Sequence, residues 1–399
     1  MKFVKRLEFV KDYTTTRMRS ALLLSSILIL ANVGFGQNAL KQKKQQTAFF
    51  YTQLNLHGGY IHDVNGGRFD VTNQAPKNQL AFQLFTRNKK LLQKGYVRTV
   101  HLNSAKLRFS VPFDKSVNAN GNREADFKLQ ILDTWLKFDT KWDRTSFWIG
   151  NKSIPYGHNP KLDPVSSFMT NIIKMDIGFV QDVGIFFKTP IANKLDMELS
   201  LTTGGMLNKP VIVCDNLIND ELDQSAYPRF SFANYSYENT WLLTSHIGSP
   251  TFQKNEFGIN VVSGRINNTL IPDDYVQINR IGGDWVHKYK ERFKWTNQLT
   301  VGHSQSEIEG AFGSLHAQSG IDLFLGKHFF VSSSFACNYH GAFSSNLYHY
   351  NFINAQSLTY SFSPHTRIRL NHYVSGIVEM GEKRWGLLLQ FVIGFGKRP

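Results

Sequence analysis

Strict polar–apolar alternation, repeated along most of the chain, constrains this sequence more than any other feature. In Leu195–Thr202, Leu195, Met197, Leu199 and Leu201 alternate with Asp196, Glu198, Ser200 and Thr202. Trp385, Leu387, Leu389, Phe391, Ile393 and Phe395 repeat the pattern at the carboxyl end, opposite Gly386, Gln390 and Gly394; Leu388 and Val392 break that second face. A period of two places successive side chains on opposite faces of a strand. Beyond residue 36 no long segment has a convincing 3.6-residue period. Phe, Tyr and Trp make up 14% of the chain at a mean hydropathy of −0.28, and many aromatics stand near segment ends. Aromatic belts at the two interfaces of a membrane require this distribution.

Connector lengths supply the second constraint. The segments Phe127–Asp139 and Thr145–Lys152 meet at a short turn near Trp142-Asp143, and a long Pro-, Gly- and Asn-rich stretch follows before alternation resumes near Asp182. Short turns on one side and long loops on the other are the two rims of an outer-membrane barrel. The alternation gives 16 to 17 segments, including weaker ones such as Arg229–Ser236. Closure favours an even count, so the expected fold is an all-β, transmembrane, antiparallel up-and-down β-barrel of 16 strands, within a range of 14 to 18. Closure is a physical necessity, because each unpaired amide at a sheet edge in hydrocarbon costs several kcal/mol.

The amino end reads as an export signal. Ala21–Val33 is an apolar run of 13 residues, preceded by Arg17 and Arg19 and followed by Gly34, Phe35 and Gly36. It is too short to span a bilayer. Cleavage after Gly36 is expected, with Met18 an alternative start, leaving 37–399 as one outer-membrane barrel domain. Of the formal charge of +15, the first 36 residues carry four net, leaving +11 on the exported part. An exported chain with this excess suits anionic solutes or lipid better than nucleic acid. Cys214 and Cys337 are the two cysteines; they could form one disulfide or stay as two thiols, and neither has metal-ligand spacing.

Three pieces in the middle of the chain resemble the phosphate-selective porin family of Gram-negative outer membranes. They are Leu132-Asp133-Thr134-Trp135-Leu136-Lys137-Phe138, then Trp148-Ile149-Gly150-Asn151-Lys152 running into Ile154-Pro155-Tyr156-Gly157, then Gln181-Asp182-Val183-Gly184-Ile185. The resemblance implies a 16-stranded barrel with an inward-folded third extracellular loop, which Ser153–Gln181 matches in position and length. It also implies a homotrimer. Gln181 stands where that family has Arg, the last residue is Pro399 rather than an aromatic, and phosphate selectivity is not carried over.

Cations on the water-facing parity would lower the barrier to anions. Lys106, Arg108, Arg367 and Arg369 satisfy that parity, and Lys152, Lys161 and Lys174 surround the expected constriction loop. Each one alone is better read as a solvated wall or rim charge, and the collective basic excess is the stronger signal. An outer-membrane lipase would need His372 and Ser375 together, but a separation of three puts them on opposite faces of a strand. His340, His349 and His365 could meet in a loop. No cofactor, metal or catalytic residue is expected, and the chain is not read as an enzyme. The sequence-based expectation is a water-filled channel for passive diffusion of small hydrophilic solutes, anions among them; a non-conducting barrel serving a secretion or structural complex is the alternative.

Overall fold

A computed structural model describes residues 46–63, 66–70, 79–88, 101–112, 114–117, 123–126, 130–131, 134–140, 145–157, 181–204, 240–250, 254–267, 275–290, 292–307, 310–342, 348–363, 365–377 and 382–396. The expected export signal, the Arg229–Ser236 segment, Cys214, Lys161 and Lys174 lie outside the described residues.

Sixteen strands form the wall. They are β1 Gln46–Asp63, β2 Gln79–Asn88, β3 His101–Pro112, β4 Thr134–Asp139, β5 Ser146–Ser153, β6 Gln181–Ala192, β7 Leu195–Thr202 and β8 Trp241–Gly248. They continue with β9 Asn255–Asn267, β10 Tyr275–Tyr289, β11 Phe293–Ser306, β12 Gly310–Phe324, β13 Phe329–Ala342, β14 Tyr348–Ser361, β15 Thr366–Ile377 and β16 Glu382–Gly396. Each pairs antiparallel with the next. β16 returns to β1 in unbroken register from Tyr51 opposite Gly396 to His62 opposite Trp385. The expected closed 16-stranded up-and-down barrel is therefore what the chain forms.

Two short strands extend this sheet. Gly66–Asp70 continues the β1 hairpin, and Gln130–Ile131 pairs with β3 ahead of β4. The single strand expected over Phe127–Asp139 is thus two pieces in one lane, Gln130–Ile131 and Thr134–Asp139. Asp114–Val117 pairs with Arg123–Asp126 as a separate hairpin within the β3–β4 connection.

Alternation appears as two chemically different surfaces. On β9 and β10, Phe257, Ile259, Ile281 and Trp285 are exposed, while Asn260, Val262, Arg280 and Asp284 between them are buried. Hydrocarbon takes the first set without penalty, and the second set faces inward. Aromatics mark both edges of the apolar band. Trp285 packs on Trp295 with centroids 5.1 Å apart and Phe329 on Tyr360 at 4.8 Å; toward the other rim, Tyr60 packs on Trp385 at 5.4 Å and Tyr339 on Tyr350 at 5.8 Å.

The rims differ as expected. β6–β7, β10–β11, β12–β13 and β14–β15 turn tightly at one rim, with Arg292 N–H donating to Tyr289 O at 3.0 Å and Leu325 N–H to Phe329 O at 3.0 Å. The β1 start and β16 end share that rim, and the long connections after β1, β3, β5 and β7 occupy the other. By this asymmetry the tight rim is periplasmic and the long-loop rim extracellular.

Candidate pore

The connection after β5 turns into the barrel immediately. Ile154, Tyr156 and Phe186 are buried together with Leu242, Val262, Ile266, Val276, Ile278 and Phe312. The last six are inward positions of β8, β9, β10 and β12 near the extracellular rim, so the chain after β5 leaves the wall and packs against them from inside the lumen. Gly157 N–H then donates to Asn260 Oδ1 at 2.7 Å. Gly157 has φ +60, a left-handed conformation that favours glycine, and an added Cβ would displace the Gln298 carboxamide, whose Oε1 lies 2.4 Å away. The residues that open the expected constriction loop therefore fold inward, and residues 158–180 lie outside the described residues.

The motif residues around this entry have identifiable tasks. Asp182, fully buried, accepts hydrogen bonds from Val183 N–H at 2.8 Å, Thr203 Oγ1 at 3.0 Å and Gly204 N–H at 2.7 Å. It thereby fixes where β7 gives way to the next extracellular connection. The Lys152 ammonium stands 4.9 Å from the Trp148 ring centre and 5.0 Å from that of Phe186. Cation–π attraction of this kind holds it at the mouth of the third loop.

From the level of this cluster down to the periplasmic rim the inner wall is charged. Lys188 Nζ lies 2.5 Å from Glu198 Oε1 and 3.5 Å from Asp196 Oδ2, and Lys288 pairs with Glu256. Asp284 accepts from Asn260 Nδ2 at 2.6 Å and lies 3.4 Å from His246 Nε2. Arg280 donates to Ser304 Oγ and to His303 O, each at 3.0 Å. Asp322 accepts from Ser332 Oγ at 2.7 Å. All of these belong to β6–β13. Lys188, Arg280, Lys288 and the acids opposite them were not singled out from sequence, although the same parity rule marks every one as inward.

Lys106, Arg108, Arg367 and Arg369 do face inward, on β3 and β15. Arg369 is 3% exposed and its Nε donates to Thr359 Oγ1 at 3.0 Å. These four stand on the arc formed by β13–β16 and β1–β3, whose described inward side chains include no Asp or Glu. Among the described side chains the lumen is thus lopsided, with cations and neutral groups on one arc and interlocked opposite charges on the other.

Several inward polar atoms have no protein partner, including both side-chain polar atoms of Gln298 and the hydroxyls of Ser314 and Ser357. Buried polar groups of this kind are satisfied by water. An apolar patch interrupts the polar surface where Ala336, Ile353, Ala355, Tyr373 and Leu388 meet. Leu388, which breaks the sequence alternation, belongs to it.

The remaining expectations resolve by position. His372 faces outward with Nδ1 2.7 Å from Gln356 Oε1, whereas Ser375 is buried on the inward face, so the two do not form a nucleophile–base pair. His340 pairs with His349 in register near the extracellular rim, but His365 lies in the β14–β15 turn at the other rim, its ring 5.7 Å from that of Tyr51. The three histidines therefore do not meet. Cys337 is an unpaired thiol among the described residues, on the outward face of β13.

These features define a closed barrel of the outer-membrane type, with a polar interior and with the first residues of its third loop, Ile154–Gly157, turned inward. Solved structures share the architecture. The anion-selective porin from Comamonas acidovorans superposes with a TM-score of 0.58 at 9% identity, over 88% of this chain and 100% of that one. OmpT in its trimer form, an outer membrane protein of Vibrio cholerae, gives 0.55 at 9% identity over 88% and 100%. The outer membrane channel DcaP of Acinetobacter baumannii gives 0.54 at 10% identity over 89% and 99%. At such identities the likeness is one of fold, and the fold is that of the porins. No protein-family model and no curated protein sequence matches this chain.

Proposed function

We propose that this chain is an outer-membrane porin that admits small hydrophilic solutes by passive diffusion and favours anions. The observation that carries the reading is the entry of Ile154–Gly157 into a closed, polar-lined barrel, pinned by the Gly157–Asn260 hydrogen bond. A loop that begins inside the lumen narrows it, so passage is governed by radius and by the charges around the narrowing. Lys106, Arg108, Arg367 and Arg369 on one arc, Lys152 at the loop mouth, and Lys161 and Lys174 within the loop supply the positive field. Those residues, together with the formal excess of +11 on residues 37–399, support anion preference. Membership of the phosphate-selective porins rests on the motif around Trp148–Gly157 and Gln181–Ile185. Export by a cleaved signal over 1–36 and assembly as a homotrimer complete the reading, the latter supported by the trimer form of OmpT.

Reversal potential across a planar bilayer with a salt gradient tests the selectivity. An anion-favouring sign supports the proposal, and a cation-favouring sign contradicts it. A second reading, a non-conducting barrel in a secretion or structural complex, is favoured by the tight apolar packing of Ile154 and Tyr156 within the lumen. It requires a folded barrel with no conductance and a co-purifying partner.

A further inference from the structure

The outer wall of β11–β15 is chemically out of place in hydrocarbon. Asn297, Ser319, Ser333, Asn354, Gln356 and His372 all sit at outward positions there, with Ser333 and Asn354 exposed. Register makes them neighbours. Ser333 pairs with Gln356 and Gln356 with His372; Asn297 pairs with Ser319. They also bond to one another: Gln356 Nε2 donates to Asn354 Oδ1 at 2.5 Å, His372 Nδ1 lies 2.7 Å from Gln356 Oε1, and Ser319 Oγ donates to Asn297 Oδ1 at 2.9 Å.

Depth makes this patch informative. Along β14 the outward series runs from Tyr350 through Phe352, Asn354, Gln356 and Leu358 to Tyr360, so the two carboxamides fall midway between the aromatic edges. Lipid headgroups do not reach that level. On the opposite side β6–β9 present Ile185, Leu201, Leu243 and Ile259, with exposures from 47% to 60%. Polar groups facing acyl chains are unfavourable and mark protein contact. The bonds within the patch use the Asn354 oxygen and one ring nitrogen of His372, which leaves an amide donor and a second ring nitrogen available.

We propose that this wall is an interface between copies of the chain. The patch is neutral, so it has no attraction for anionic lipid. Its carboxamides, hydroxyls and imidazole each offer both donors and acceptors, so the same set on the neighbouring copies satisfies it where like residues meet around a three-fold axis. The inference rests on the outer-membrane reading for its surroundings and gives the proposed oligomer a location.

The test is the mass of the full chain in mild detergent by size-exclusion with light scattering, run beside unheated gel electrophoresis. The unsubstituted chain should be an oligomer. N354L/Q356L/H372L, and separately N354W, should reduce the mass to one chain while keeping the mobility shift on heating that marks a folded barrel. A single-chain mass for the unsubstituted protein, an oligomer unchanged in both variants, or a stoichiometric complex with a different protein overturns the proposal. Absence of any heat-shifted band would instead defeat the outer-membrane reading itself, so the two failures are distinguishable.

Discussion

The amide of Gly157 donates to Oδ1 of Asn260 at 2.7 Å across 103 residues of sequence, and this bond joins the start of the third loop to the wall four strands away. Asn260 is 1% exposed and spends its own amide on Asp284 at 2.6 Å, so the loop, β9 and β10 are linked in series. One carboxamide oriented from both sides can hold only one geometry. The loop entrance is therefore placed by the wall rather than by its own backbone preferences.

Asn260→Ala removes both bonds at once. Leaving buried partners unsatisfied costs about 1–3 kcal/mol. The expected outcome is a larger and noisier single-channel conductance with a lower unfolding midpoint. An unchanged conductance would separate the Gly157 contact from the pore diameter.

Tyr156 is 1% exposed within the apolar cluster that includes Leu242, Val262 and Ile278. Truncating a large buried aromatic costs about 3 kcal/mol. Tyr156→Ala should release the loop entrance, which limited proteolysis of the refolded barrel would read as new cleavage between β5 and β6, with the barrel strands left intact.

The seam between β1 and β16 depends on a position without a side chain. A Cβ on Gly59 would lie 2.0 Å from Leu387 O and 2.7 Å from Leu388 Cα, both backbone atoms that cannot move aside. Gly59→Val should cost about 1–3 kcal/mol through overpacking. Its readout is a smaller heat-modifiable fraction after refolding, with Gly283→Val, where the nearest atom to an added Cβ is Gly258 O at 3.6 Å, as the benign comparison.

Selectivity should follow the arc that carries cations. Lys106→Gln, Arg108→Gln and Arg367→Gln combined are expected to bring the anion-to-cation permeability ratio toward unity, measured from reversal potentials. A ratio that stays put would assign selectivity to the third loop.

Much of this was legible in the sequence, and the limits are physical. Side-chain parity is a local property, so the outward Ile259 and inward Asn260, or the inward Arg367 and Arg369, could be read from one strand. Strand number followed from counting alternations and from the requirement of closure. Partnership is different, because the register between strands is not written in either strand alone. Lys288 with Glu256, Lys188 with Glu198, and Asn260 with Gly157 are cross-strand or loop-to-wall matches, and the sequence carried no cue for them. Leu388 looked like a defect in alternation until Tyr373 and Ile353 stood beside it on neighbouring strands. The polar outward positions Gln356 and His372 were likewise unremarkable singly and meaningful only as neighbours.

Single-channel recording from the purified full chain in a symmetric planar bilayer tests the central claim most directly, since a sealed wall around a hydrated lumen must conduct. Discrete, repeated current steps that enlarge in Asn260→Ala are the predicted result. A heat-modifiable, correctly folded barrel that produces no steps would contradict it.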